Sequence, residues 1–301
     1  MKNYRTYIGI DVAKLTLDYC IVKEDPQLEQ GQILNTQKSV GKFLITLKKA
    51  GCEMNEILFV FENTGIYSSL LALVLSENKL DYAQVPALEI KRSLGITRGK
   101  SDKVDAKEIA HYAKRNTDKI ALSTLPEISL QQLKIVFAER EKTVAAIKTF
   151  ERTKENEMFL TKEVFNSVKA INNQTVKHLK KQLVMLDEKI RTLIREDENL
   201  YGQQQLLKSI PGIGDITSVY ILMATKGFTA FTSGRKFACY SGVAPFEHSS
   251  GTSIKGKTRV SHLADKKMKT LLHMASLTAI KYDPELKDYY NRKKAEGKHT
   301  M

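Results

Sequence analysis

Asp11, Glu62, Asp102 and Asp105 are the acids of this sequence whose surroundings mark them for chemistry. Asp11 follows the β-forming run Tyr-Ile-Gly-Ile within GIDVAK, Glu62 follows the apolar run EILFVF within FENTG, and Asp102 and Asp105 share the segment KSDKVDAKEIA. Acids at strand ends point into the crevice where open sheets keep their sites, and acids three apart at a helix start face the same way. Four such carboxylates can hold hard divalent cations such as Mg²⁺ or Mn²⁺. Two such ions, roughly 4 Å apart, activate a nucleophile and stabilise the leaving oxygen of a phosphodiester. Lys100, Lys103 and Lys107 surround the last pair, where they offset carboxylate repulsion and can hold a nucleic-acid backbone. Any one of these acids alone reads as a helix cap or a solvated surface charge, Asp102 in particular as a partner of the helix dipole. The combination argues against that plainer account.

A second group lies near the C-terminus. Residues 206–222, LLKSIPGIGDITSVYIL, have the pattern of a helix-hairpin-helix. The glycines of its turn, Gly212 and Gly214, leave backbone N–H groups free to grip a phosphate at a helix start; a plain tight turn is the alternative. Next comes FACYSGVAPFEHSSGTSIKGKTRVSH, where Ser249 and Ser250 precede Gly251 in a loop flanked by His248, Lys255, Lys257 and Arg259. A serine among cations can attack a phosphodiester or accept its transfer. Chemistry alone does not choose between the two serines, and serines in glycine loops are mostly turn formers.

Local patterns supply the elements that must position these groups. Tyr7 to Asp11 and Leu15 to Val22 read as a hairpin opening a sheet. EILFVF is a continuous apolar strand buried on both faces. Helical spacing follows in Val40 to Ala50 and in Ile66 to Ser76 after Thr64-Gly65, residues 80–86 offer another strand, and Ser101 begins a long helical pattern. Residues 1–125 are therefore expected to form an α/β domain. From Ser129 to Gln205 there is no proline and Gly202 is the one glycine, so residues 126–205 are expected to be helical. A stripe of Leu179, Leu183, Leu186, Ile190 and Ile194 suggests an antiparallel helical hairpin or coiled-coil arm for dimerisation or internal packing, with a break near Asn172-Asn173. Residues 206–301 form a third, mostly helical part whose glycine-rich middle reads as a loop system.

Composition fits this picture. Lys and Arg number 48 against 34 Asp and Glu, a net charge of +14, which attracts polyanions. Most of the excess sits in two segments: residues 91–120 carry nine basic residues against four acids, and residues 253–301 twelve against five. Cys20, Cys52 and Cys239 are widely spaced and form no CxxC pair, which argues against zinc and fits a reducing cytosol. No apolar run approaches the roughly 20 residues of a membrane span and the start lacks a signal peptide's apolar segment, so a cytoplasmic protein is expected.

The order of the carboxylates resembles the ribonuclease-H-like fold of Holliday-junction resolvases of the RuvC type. GID before a hairpin also opens the actin-like sugar kinases, but no second DxG turn and no later GG pair follows. Over nearly its whole length the chain is similar to the transposases of the insertion sequence 110 family, the DEDD class that includes the Piv-type DNA invertases. GIDVAK, FENTG and KSDKVDAKEIA match the RuvC-like domain, and PGIG with SGVAPFEHSSG matches the C-terminal transposase domain. The resemblance implies that Asp11, Glu62, Asp102 and Asp105 are a metal-binding catalytic tetrad and that Ser250 is the nucleophile. It also implies a composite site completed by a partner protomer, assembly through the helical arm, and a structured noncoding guide RNA that pairs with donor and target DNA. Family members continue past the GKH-type segment with another basic helix, whereas this chain stops at GKHTM. The expected activity is DNA cleavage and rejoining. A structure-selective nuclease using only the tetrad is the runner-up, and a non-catalytic nucleic-acid-binding descendant is a third class.

Overall fold

The computed structural model describes residues 2–23, 28–93, 102–250 and 254–298. The chain divides into two compact units, Met1–Leu125 and Pro126–Met301.

The first unit is built on β1 (Thr6–Val12), β2 (Thr16–Lys23), β3 (Leu28–Leu34), α1 (Gln37–Lys49), β4 (Ile57–Glu62), α2 (Ile66–Glu77), β5 (Tyr82–Val85), α3 (Ala87–Ser93) and α4 (Asp102–Arg115). Its sheet has the order β3-β2-β1-β4-β5, with β1, β2 and β3 antiparallel and β4 and β5 parallel to β1. This mixed sheet, with helices packed on it, makes the first unit the expected α/β domain. Period-two alternation sorts the strands between two cores. Ile8, Ile10, Ile57, Phe59 and Phe61 pack on one face with Val40, Phe43 and Leu44 of α1 and Leu71 and Leu75 of α2. Tyr7, Leu58 and Val60 pack on the other with Ile109, Tyr112 and Ala113 of α4. β4 is thus apolar throughout because both of its faces are covered.

Gly9 sets how closely α4 approaches. A Cβ there would lie 2.2 Å from the Ala110 nitrogen and 2.4 Å from the Ala106 carbonyl oxygen. Only glycine lets helix backbone touch strand backbone in this way. Ala106 and Ala110, both buried, complete the contact beside Cys20 and Val22 of β2.

In the second unit, α5 (Ile128–Arg152) and α6 (Lys162–Arg195) form an antiparallel pair. The links are Thr153 Oγ1 accepting from Asn172 Nδ2 at 3.1 Å, Lys180 with Glu151 at 2.7 Å, and Arg140 with Asp187 at 2.6 Å. The stripe from Leu179 to Ile194 turns inward within the chain: Leu179, Leu183 and Leu186 are half-buried and Ile190 and Ile194 buried. The expected break at Asn172-Asn173 is wrong, since α6 runs straight through both residues. The reversal instead uses a 3₁₀ stretch, Thr153–Met158, and the residues up to Thr161. Asn172 has a tertiary role, tying α6 to the start of that reversal.

The chain continues through α7 (Glu198–Lys208), α8 (Asp215–Thr225), α9 (Gly234–Tyr240), β6 (Pro245–Ser250), β7 (Ile254–Val260), α10 (Lys266–Tyr282) and α11 (Pro284–Ala295). Leu207, Ile221, Leu222 and Met268 form a core joining α7, α8 and α10. The expected serine loop is in fact a two-stranded antiparallel ladder of β6 and β7, with a register shift between Phe246 and His248. Its strand pairing was hidden by polar residues and by that irregularity. Among the described residues no helix is long and apolar enough to cross a membrane.

Candidate functional site

Strand register places the first two carboxylates. The last parallel pair between β1 and β4 is Ile10 with Phe61, so Asp11 and Glu62 are the next residues on neighbouring strands. Both are half-buried. Alternation puts Asp11 on the face of Gly9 and Glu62 on the face of Val60, the side covered by α4.

The direction of α4 brings its acids to the same edge. Lys114, near its C-terminus, donates to the Lys23 carbonyl at 2.9 Å, and Lys23 pairs with Thr6 at the start of β1. The N-terminal end of α4 therefore lies toward Asp11. Asp102 is the first residue of that helix and Asp105 stands one turn later, half-buried. The side chains of Asp102 and Lys103, and all of Lys100, lie outside the described residues. Lys107 is exposed on α4.

Three further residues of this region were not singled out from sequence. Asp18 pairs with Asp11 across the β1–β2 ladder; it is 2% exposed and accepts from Gln32 Nε2 at 2.9 and 3.1 Å. Glu108 and His111 follow Asp105 at intervals of three and line a groove along α4 with Val104, Lys107 and Arg115. Burial pushes the Glu108 carboxyl up, helped by the charge of Asp105. Burial also pushes the His111 imidazole down, helped by Lys107, Arg115 and Lys114. The repeating D-x-x-D-x-x-E-x-x-H spacing was the available signal.

Oxygen-only donors at a strand edge are the set a hard divalent cation takes, and in that respect Asp11, Glu62 and Asp105 fit one. Among the described residues no three such side chains already converge as a cage.

The serine belongs to the second unit. Ser250 ends β6 opposite Ile254, and Ser249 pairs with Lys255, while Arg259 pairs with Phe246 across the shift. The side chains of Ser249, Ser250, Lys255, Lys257 and Arg259 lie outside the described residues. In the PGIG turn the two glycines differ. Gly212 has φ +92° and a Cβ there would lie 2.2 Å from the Ala275 carbonyl oxygen of α10. Gly214 opens α8 with φ −93° and faces open space. Asp215 sits in the first turn of α8 and pairs with Lys208 at 2.5 Å.

Residues 8–156 match the profile of a DEDD transposase of the IS110 type, and residues 204–291 match the transposase IS116/IS110/IS902 family. A pilin gene-inverting protein of Moraxella bovis is 28% identical over 299 residues, covering 98% of this chain and 89% of its own. The insertion element IS900 uncharacterized 42 kDa protein of Mycobacterium paratuberculosis is 32% identical over 131 residues, covering 42% of this chain and 33% of its own. Among solved structures, T. thermophilus RuvC in complex with a Holliday junction substrate aligns with a TM-score of 0.29 at 13% identity, over 40% of this chain and 100% of RuvC.

Proposed function

Since the chain belongs to the IS110 family of transposases, we propose that it cleaves and rejoins DNA through Ser250, assisted by a carboxylate site of Asp11, Glu62, Asp102 and Asp105. What supports the carboxylate half is the adjacency of Asp11 and Glu62 at the ends of two parallel strands, toward which α4 presents its acidic first turns. The gene inversion named for the Moraxella relatives supports rejoining over hydrolysis, because inversion conserves both strands.

The chemistry balances without water. The Ser250 hydroxyl oxygen attacks phosphorus and forms a serine–phosphate ester. The bond from phosphorus to the leaving strand oxygen breaks, and that oxygen gains the equivalent of the proton that serine loses. A hydroxyl of the exchanging strand then attacks the ester, the proton returns to Ser250, and a new phosphodiester closes. Mg²⁺ or Mn²⁺, when bound by the four carboxylates, supplies charge stabilisation at the phosphoryl oxygens. Lys100, Lys103 and Lys107 steady the backbone at that site, and Gly212, Gly214, Lys255, Lys257 and Arg259 hold phosphate near the serine. Residues 126–205 serve assembly of a homo-oligomer whose protomers combine serine and carboxylates. A structured guide RNA rests on the basic segments 91–120 and 253–301 and pairs with donor and target DNA.

The test is incubation with element-end DNA and Mg²⁺, followed by a denaturing gel for a protein–DNA adduct. We expect an adduct with wild type that is lost in both Ser250→Ala and Asp11→Ala. Hydrolytic nicks without an adduct, sensitive to Asp11 alone, would establish a structure-selective nuclease instead. Metal-independent binding with neither product would leave a non-catalytic binding protein.

A further inference from the structure

Helices α5, α8, α9 and α10 of the second unit surround a cleft of about 540 Å³ that neither the carboxylates nor the serine uses. Its apolar surface comes from Phe137, Ala138, Met223 and Ala224. Tyr220 and Tyr240 flank this surface, and both hydroxyls donate to Asp265, at 2.9 and 2.8 Å. Asp265 is itself fixed as the cap of α10, accepting from the Met268 N–H at 2.9 Å. The Tyr240 ring is further braced by Phe231, with centroids 5.1 Å apart, yet it stays about a third exposed. The aromatic surface is therefore rigid before any ligand arrives, which lowers the entropic cost of binding.

Cations line the rest. Lys267 is already occupied: it pairs with Glu141 and lies 4.7 Å from the Phe137 centroid and 5.2 Å from that of Tyr220. Lys134 and Lys226 are different, since neither has an acidic partner among the described residues. Burial lowers the Lys134 ammonium pKa, and the neighbouring charge of Lys226 adds to that. An anion between the two would relieve both penalties. A rigid ring, an apolar patch and a pair of uncompensated cations together suit a planar group bearing a negative charge. Ligand sites commonly measure about 300–1,000 Å³, so the volume suits one nucleotide and not a stacked duplex.

We propose that this cleft binds one unpaired nucleotide of a nucleic-acid strand, its base against Tyr240 and its phosphate between Lys134 and Lys226. The source of the nucleotide rests on the reading of this protein as a nucleic-acid recombinase; the geometry of the cleft does not. Stacking on an aromatic ring combined with phosphate contacts is how single strands are held with little sequence preference.

The experiment titrates the full chain with single strands of about 12 nucleotides carrying a central 2-aminopurine, as DNA and as RNA, and with a duplex bearing the same base. Wild type should change the emission of a single strand and not of the duplex, and whichever single strand responds identifies the source. The double variant Lys134→Gln/Lys226→Gln removes two cations that burial and mutual repulsion already disfavour; it should weaken single-strand binding about tenfold or more without lowering the melting temperature. Tyr240→Leu should abolish the emission change. Unchanged affinity and emission in the double variant would overturn the proposal. Duplex binding with no response from either single strand would overturn it while sparing the recombinase reading, and failure of wild type to bind any of the probes would overturn both.

Discussion

Asp18 of β2 and Asp11 of β1 stand directly opposite each other in the antiparallel ladder, with Asp18 almost wholly buried and held by Gln32. Like charges in such a cross-strand pair cost roughly 0.2–1 kcal/mol. A divalent cation held beside Asp11 would offset that cost. Asp18→Asn should therefore raise the melting temperature of the metal-free protein by about 1–3 °C and shrink the added stabilisation by Mg²⁺ or Mn²⁺. Thermal denaturation with chelator and with each metal reads both effects. A lower melting temperature in chelator would mean that Asp18 serves the sheet through its bond to Gln32 and not the site.

Gly9 controls the placement of Asp105 from a distance. Any side chain there meets Ala106 and Ala110 backbone atoms, which cannot turn aside as a flexible side chain would. Gly9→Val should lift α4 off β1, cost more than the roughly 1–3 kcal/mol typical of overpacking, and abolish strand transfer. Gly9→Ala should do the same to a smaller degree. Urea denaturation alongside the adduct assay checks this; a Val variant of normal stability would show that α4 tolerates displacement.

How far the sequence alone carries the structure can be judged element by element. GIDVAK and FENTG announce their strands because β1 and β4 are central and apolar, so burial writes itself into residue type. β3, with the polar text LEQGQIL, gives no such signal; it is an edge strand recognised only through its pairing with β2. Asp18 is illegible for the same reason: a single acid in TLDYCIVK acquires meaning only once the register sets it against Asp11. β6 and β7 depend on pairing across a shifted register, and the reversal at Thr153–Met158 contains neither glycine nor proline. Local pattern announces buried central elements, while edges, turns without breakers and cross-strand partners need the fold.

Asp265 links the cleft to pH. Burial pushes its carboxyl up, but the Met268 N–H and the Tyr240 and Tyr220 hydroxyls outweigh that and hold it below the usual carboxylate range. A carboxyl depressed in the folded state contributes stability above its unfolded pKa of about 3.9 and loses it as pH falls through the folded value. Tyr240 shows the opposite sign: burial, then its bond and proximity to Asp265, push it up to about 12, so its contribution holds below its unfolded pKa of about 10 and disappears as pH rises through 12. Asp265→Ala, which removes a helix cap and two tyrosine acceptors, should cost about 1–3 kcal/mol at neutral pH. That difference from wild type should narrow as pH falls below the unfolded value of about 3.9 and through the lower folded value. Urea titrations at pH 7, 4 and 3 measure the gap; a gap independent of pH would assign the loss to packing alone.

The two glycines of the PGIG turn should separate packing from phosphate binding. Gly212 combines a left-handed backbone with the close approach of the Ala275 carbonyl, so even Ala there strains φ and collides with α10. Gly214 has an ordinary φ and open space around it, and Ala would keep the N–H that a phosphate needs. We expect Gly212→Ala to cost at least about 2 kcal/mol and Gly214→Ala to stay within about 0.5 kcal/mol of wild type, as read by urea denaturation. Asp215 supplies the complementary test, because its carboxylate occupies the start of α8, where a phosphate would be drawn by the helix dipole, and Lys208 only partly neutralises it. Asp215→Asn should tighten duplex DNA binding several-fold at low salt and less at high salt. An unchanged affinity would assign the turn to the contact between Gly212 and α10, and would leave the phosphate grip to the basic residues of β7.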